Sequence, residues 1–276
     1  MYGNSKTDMY SKITTGLITK QRSFLEQEDW RTSRWDMPRE LKSDQSCLTD
    51  MLALIPGLME DVSNICNDET NTNPGDIISR LTEILEELYR WRWQWHKVNE
   101  STVCEKSISQ QDSPYFRPFA TVLHFVRAER AYEILLYNTI QIWITILLLT
   151  LDSRNANEYV LEAAIKSHGC PPASEVGKSA LRRPGDTILL IDSAVEVCKV
   201  FEFFLQNAGN LKEFLPMLLM PMGLVWSVLE GHDTHRKWIV EMMNSSQYTK
   251  GFLFGNKAFG FDHYAFPKSV DDKALA

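Results

Sequence analysis

From Ile77 onward, apolar side chains return every three or four residues, at Leu81, Ile84, Leu85, Leu88, Trp91 and Trp95. That spacing lays one apolar stripe along a helix reaching to about Val98. Asn73-Pro74 stands just before it and reads as an N-cap followed by proline at the first helical position. Leu48, Leu52, Ile55, Leu58, Met59 and Val62 keep the same period upstream, and Pro56-Gly57 predicts a kink within that helix. Between Pro118 and Asp152 there is no Gly or Pro. Phe119, Val122, Leu123, Val126, Ala131, Ile134, Leu135, Ile142 and Ile146 then predict one long helix, apolar on all sides towards its end.

Further along, Ile188, Ile191, Val195, Cys198, Phe201 and Leu205 mark a helix over 186–207. Residues 211–229 form an apolar run that Pro216 and Pro221 should break, and 233–243 reads as a last amphipathic helix. Segments 99–113 and 155–186 are polar, richer in Ser, Gly and Pro, and read as surface loops. No stretch alternates apolar and polar positions with turn dipeptides between copies, so a sheet is not expected. The expected fold is all-α: a single irregular multi-helix domain with long buried central helices. It should occupy 22–264, with a polar N-terminal extension over 1–21 and a C-terminal tail over 265–276.

Composition narrows the function classes. The chain has 276 residues, 44% of them hydrophobic, enough to bury a full-sized core. Its net charge of −7 argues against direct, specific DNA binding, which needs a positive surface to displace counterions. Five cysteines (Cys47, Cys66, Cys104, Cys170 and Cys198) contain no C-x-x-C and make neither a disulfide framework nor a thiolate zinc site. Residues 1–20 lack the apolar stretch of a secretory signal, which points to an intracellular protein. The triplets at Asn99 and Asn244 carry little weight in that setting.

Each candidate for chemistry meets a plainer reading. Residues 132–151 are long enough to cross a bilayer, yet Glu133, Asn138 and Gln141 lie inside, as suits a buried core helix. WRWQW, with Arg90 and Arg92 interleaved, could stack nucleobases. The helical frame assigns Trp91 and Trp95 to the core and leaves Trp93 with Tyr89 on a flank, half exposed. His232 and His235 beside Asp233, with His263 beyond, could start a metal site, but the pair sits where a helix begins and reads as capping or surface histidine. Gly251 to Ala258 lacks both the glycine spacing and the hydroxyl of a phosphate loop. Asp68-Glu69 and Asp271-Asp272 need only solvent, and Lys178, Arg182 and Arg183 read as a solvated loop cluster. No catalytic residue, metal or cofactor is expected.

The order of the segments carries a resemblance. RSFLEQEDWRTSRWD (22–36), LTDMLALIPGLMEDVSNI (48–65) and the Trp-rich ELYRWRWQW are followed by RAERAYEILLYNTIQIW (127–143). Then come DTILLIDSAVEVCKVFEFFLQ, LPMLLMPMGLVWSVLEG, HRKWIVEMM and GFLFGN. This succession resembles the helical regulatory region that lies C-terminal to the binuclear zinc-cluster DNA-binding motif in fungal transcription factors. It covers most of the chain, from about Arg22 to Gly260. The cysteine-rich, basic DNA-reading part is not present, and residues 1–20 are too short to hold it.

The resemblance implies a nuclear regulator, often of metabolic or secondary-metabolite genes, acting through protein partners, possible full-length relatives among them, or by sensing a small molecule. Tyr89, Trp93, Trp238, Phe252 and Phe254 are the candidate partner surface. The rival readings are an all-α enzyme or accessory protein of specialised metabolism and a membrane-associated helical protein.

Overall fold

A computed structural model describes residues 6–27, 43–70, 72–107, 116–168, 179–186, 189–207, 215–246 and 249. In chain order the elements are α1 (Lys6–Thr19), α2 (Asp44–Leu52), α3 (Ile55–Cys66), α4 (Pro74–Asn99), β1 (Val103–Ser107), β2 (Thr121–Phe125), α5 (Ala128–Leu151), α6 (Ala156–Ser167), α7 (Leu190–Gln206), α8 (Leu215–Val228) and α9 (Asp233–Ser245). The all-α class holds, with one small antiparallel pair of strands beside the helices.

The most apolar helix lies at the centre. α5 packs against α2, α3, α4, α6, α7 and α8, and most of its side chains are buried. It is long and apolar enough to cross a membrane, but 89% of its most apolar window is buried within this fold. Four of its polar residues are satisfied locally: the hydroxyls of Thr139, Thr145 and Thr150 donate to carbonyls one turn back, as does the Asn138 amide. A buried polar group costs little once it is hydrogen-bonded, so the helix tolerates them in the core.

α4 matches its sequence pattern closely. The Asn73 side chain accepts from the Gly75 amide at 3.1 Å, Pro74 opens the helix, and His96 and Lys97 sit in the last turn. Ile77, Leu81, Leu85, Leu88, Trp91 and Trp95 are all buried. One hydrophobic cluster runs without interruption from Tyr10 in α1 to Met243 in α9.

Several expectations need correction. The N-terminal residues are not an extension: α1 buries Tyr10, Ile13 and Leu17 in the common core. A Cβ on Gly16 would sit 3.0 Å from the Pro56 ring, so α1 presses directly on the start of α3. Near Pro56 the chain breaks into two helices instead of kinking, and Pro56 falls in the first turn of α3, where its missing N–H costs nothing. Conversely, α8 runs on through Pro221 where a break was expected.

The helix predicted from Pro118 begins only at Ala128. Thr121–Phe125 is instead a strand, paired with Val103–Ser107 in a register that sets Cys104 opposite His124. Val122, Leu123 and Phe125 are buried, and the pairing outweighs a helical spacing that these residues fit equally well. Within the second expected loop lies α6, whose inner face is made of Ala156, Val160, Ala163 and Ala164. Such small side chains carry too weak an apolar signal to stand out.

Candidate functional site

Arg92 occupies the position after Trp91 on α4, one turn beyond Leu88, and the helix turns it inward. It is fully buried, among the largest buried side chains of the protein. Its guanidinium lies over the rings of Trp95 (5.1 Å) and Tyr137 (5.7 Å), as cations do on aromatic faces. Nη2 donates to the carbonyl of Arg182 at 3.0 Å. Nε and Nη1 are buried and have no hydrogen-bond partner among the described residues. Burial pushes its pKa down, opposed by Tyr137, Glu196 and Asp186.

The second charge of the cluster is Glu196 on α7, also buried. One carboxylate oxygen accepts from the Asn138 amide of α5 at 2.9 Å. The other accepts from the backbone N–H of Arg182 at 2.9 Å. Arg92 and Glu196 therefore hold the carbonyl and the amide of the same residue. Tyr89 and Gln141 continue the polar cluster, the Gln141 amide donating to the Tyr89 phenol at 3.3 Å. Burial raises the phenol pKa of both Tyr89 and Tyr137.

Residues 179–186 form the strap over this cluster. Leu181 anchors it in the core, and Gly185 supplies a positive φ of 87° where the strap turns against Ala164 of α6. The remaining ties are polar. Arg182 pairs with Asp192 at 2.8 Å, and the Arg183 amide donates to Asp186 at 2.7 Å. Between the strap, α7 and the strand pair lies a cleft of about 490 Å³, with Leu123, Val195, Glu196 and Lys199 in its wall. Lys199 is itself held by Glu105 at 2.8 Å and Thr121 at 3.0 Å.

The structure relocates the candidate partner residues. Tyr89, expected half exposed, is fully buried. Trp238 is likewise fully buried and meets the ring of Phe119 at 5.0 Å, so neither offers a surface in this fold. Trp93 is half-buried and stacks on His168 at 4.2 Å, inside the α4–α6 contact. Phe252 and Phe254 lie outside the described residues. His232 takes the N-cap position of α9 but makes no side-chain cap, and its ring centre is 6.2 Å from that of His235. Among the described residues no group of three His, Cys, Asp or Glu side chains is arranged to hold a metal ion.

Sequence reasoning missed Arg92 and Glu196 as a pair. The signal for Arg92 was its place beside the core stripe, at the helical interval from Leu88. The sequence places Arg182 in a solvated cluster; its side chain is exposed, but its backbone closes the buried site. No protein-family model, curated protein or solved structure matches this chain.

Proposed function

We propose that this chain is a helical regulatory domain that senses a small polar molecule beneath the 179–186 strap and acts on transcription through protein partners. It would have no chemistry of its own and make no specific DNA contact. The observation that supports this most is Arg92: a fully buried guanidinium whose one hydrogen bond among the described residues goes to a strap carbonyl. A buried charge normally has a paired counter-charge, because desolvation costs several kcal/mol, on the order of the stability of a whole domain. A buried guanidinium with two donors unpartnered among the described residues, under a strap that borders a cleft, supports a binding role more readily than a folding role.

The strap also touches the elements that a signal would have to move. It bonds to α4 through Arg92, to α7 through Glu196 and Asp192, and packs on α6 at Ala164. Displacing it alters three helices together. The regulatory role and nuclear setting come from the resemblance in segment order, and the net charge of −7 supports action through partners.

The test joins the full chain to a heterologous DNA-binding domain at a reporter promoter. Expression should change relative to the DNA-binding domain alone, while the purified chain gives no competitor-resistant shift of promoter DNA at near-physiological salt. An unchanged reporter overturns the regulatory reading. A shift that survives unrelated competitor DNA overturns the claim that partners are needed.

A further inference from the structure

We infer that the cluster of Arg92 and Glu196 is a binding site for a free α-amino acid, occupied in this structure by the backbone of Arg182. The inference rests on the ligand-sensing reading above and names the ligand class. Glu196 accepts from the Arg182 nitrogen at 2.9 Å, and Arg92 donates to the Arg182 carbonyl oxygen at 3.0 Å. The atoms between those contacts are N, Cα, C and O of one residue. A free α-amino acid has the same four atoms in the same order, with an ammonium in place of the amide and a carboxylate in place of the carbonyl.

The replacement strengthens both contacts. An amide facing a carboxylate becomes an ammonium facing a carboxylate, and a carbonyl facing a guanidinium becomes a carboxylate facing it. Each present bond already has one ionised partner, and the ligand supplies the second, so attraction between unlike charges in a buried setting is added to a bond that is charge-assisted to begin with. The guanidinium is also ready for a second oxygen. Arg92 uses Nη2 for the carbonyl, and the two edges that include Nη2 each carry one more donor, Nε on one and Nη1 on the other. Both are buried and unpartnered among the described residues. A carbonyl oxygen uses one donor, whereas a carboxylate engages an edge through both of its oxygens.

The strap is thus an internal competitor. Its side-chain ion pairs, Arg182 to Asp192 at 2.8 Å and Arg183 to Glu100 at 3.7 Å, are partly exposed and contribute little to holding it, which leaves Leu181 as its apolar anchor. The adjoining cleft of about 490 Å³, walled by Leu123, Val195 and Lys199, gives an amino-acid side chain somewhere to go. Apparent affinity rises with the fraction of molecules whose strap is open, so loosening the strap tightens binding.

The experiment measures calorimetric binding of the proteinogenic α-amino acids, one at a time at millimolar concentration, to the full chain. Each is accompanied by its deaminated acid and its decarboxylated amine, and hydrogen exchange is followed at the Arg182 amide. The expected result is that one or a few amino acids bind, deprotect that amide, and outcompete both analogues. Arg182→Ala keeps the backbone but loses the Asp192 pair, and should tighten binding roughly two- to five-fold. Glu196→Gln should weaken it by about tenfold or more, the loss expected when a charged acceptor is neutralised.

Acids binding as well as amino acids would overturn the inference while leaving ligand sensing intact. No binding by wild type and by Arg182→Ala overturns it too, and the reporter assay then judges the regulatory reading separately. Amino-acid binding with an inert reporter leaves the site standing and removes the regulatory role.

Discussion

Arg92 and Glu196, on different helices, grip the two ends of one peptide residue, and they do not grip each other. No ion pair joins them among the described residues; Glu196 spends its oxygens on Asn138 and on the Arg182 amide. Two opposite buried charges set one residue apart are an expensive way to fasten a strap. Hydrophobic side chains of similar volume would hold it as well without the desolvation. The arrangement makes sense when the held residue stands in for something that leaves.

The tryptophans of α4 offer a direct check on the packing. Trp91 is buried and stacks on Tyr137 at 6.1 Å, whereas Trp93 is half-buried and stacks on His168. Trp91→Ala should cost about 3–5 kcal/mol. Trp93→Ala should cost closer to about 1 kcal/mol, the scale of an aromatic pair at the edge of a core. Denaturant unfolding of both variants measures the gap, and equal losses would contradict the placement of Arg92 as well, since it shares this helix.

α1 should behave as core. Leu17 is fully buried and belongs to the same cluster as α5. Leu17→Ala is expected to lower stability by about 2–5 kcal/mol. Had residues 1–21 been a dispensable extension, the variant would unfold with wild type.

These cases show what the pattern along the chain could carry. α4 was legible from cap to last turn because its stripe is long, large-sided and bounded by Asn73-Pro74. α1 was not, since Tyr10, Ile13 and Leu17 are scattered among threonines, glycine and lysine and become core only against Pro56 and its neighbours. β2 was misread because Val122 and Leu123 fit a helical count and a strand alike, and only pairing with β1 decides between them. The site was half legible. Arg92 stood on a stripe that could be projected inward, but its partner in closing the site is a backbone carbonyl, which no side-chain pattern reveals.

The corner between α5 and α6 supplies a pH prediction. Asp152 ends α5 and accepts from the Asn155 side chain (3.0 Å), the Asn155 amide (3.2 Å) and the Tyr159 hydroxyl (2.9 Å). The Asn155 side chain is the largest of the influences that hold its carboxyl below the ordinary value of 3.8. A depressed carboxyl stabilises the fold above that ordinary value, and the contribution is lost as pH falls through the lower folded value. Asp152→Ala should therefore cost about 0.5–1 kcal/mol near neutrality, the low end for a capping residue because this carboxylate is well hydrated. The difference in midpoint from wild type should close as pH is taken below about 4, and a difference constant down to the acid transition would show that Asp152 acts by packing alone.

Arg92 itself gives the sharpest division between a folding role and a binding role. Met has a similar unbranched stem and no charge, so Arg92→Met removes the desolvation cost while keeping much of the packing over Trp95 and Tyr137. If Arg92 serves the fold, the variant loses several kcal/mol, as when one partner of a buried pair is removed. If it serves a ligand, the variant is as stable as wild type within about 1 kcal/mol, or more stable, in keeping with the usual trade between activity and stability at binding sites. The second outcome is the expected one. The strap should respond in the opposite sense, because it loses the bond to the Arg182 carbonyl while Glu196 keeps the amide. Hydrogen exchange should then show faster local opening over 179–186 in a protein whose global midpoint has not fallen, whereas a matched fall in both would place Arg92 in the scaffold.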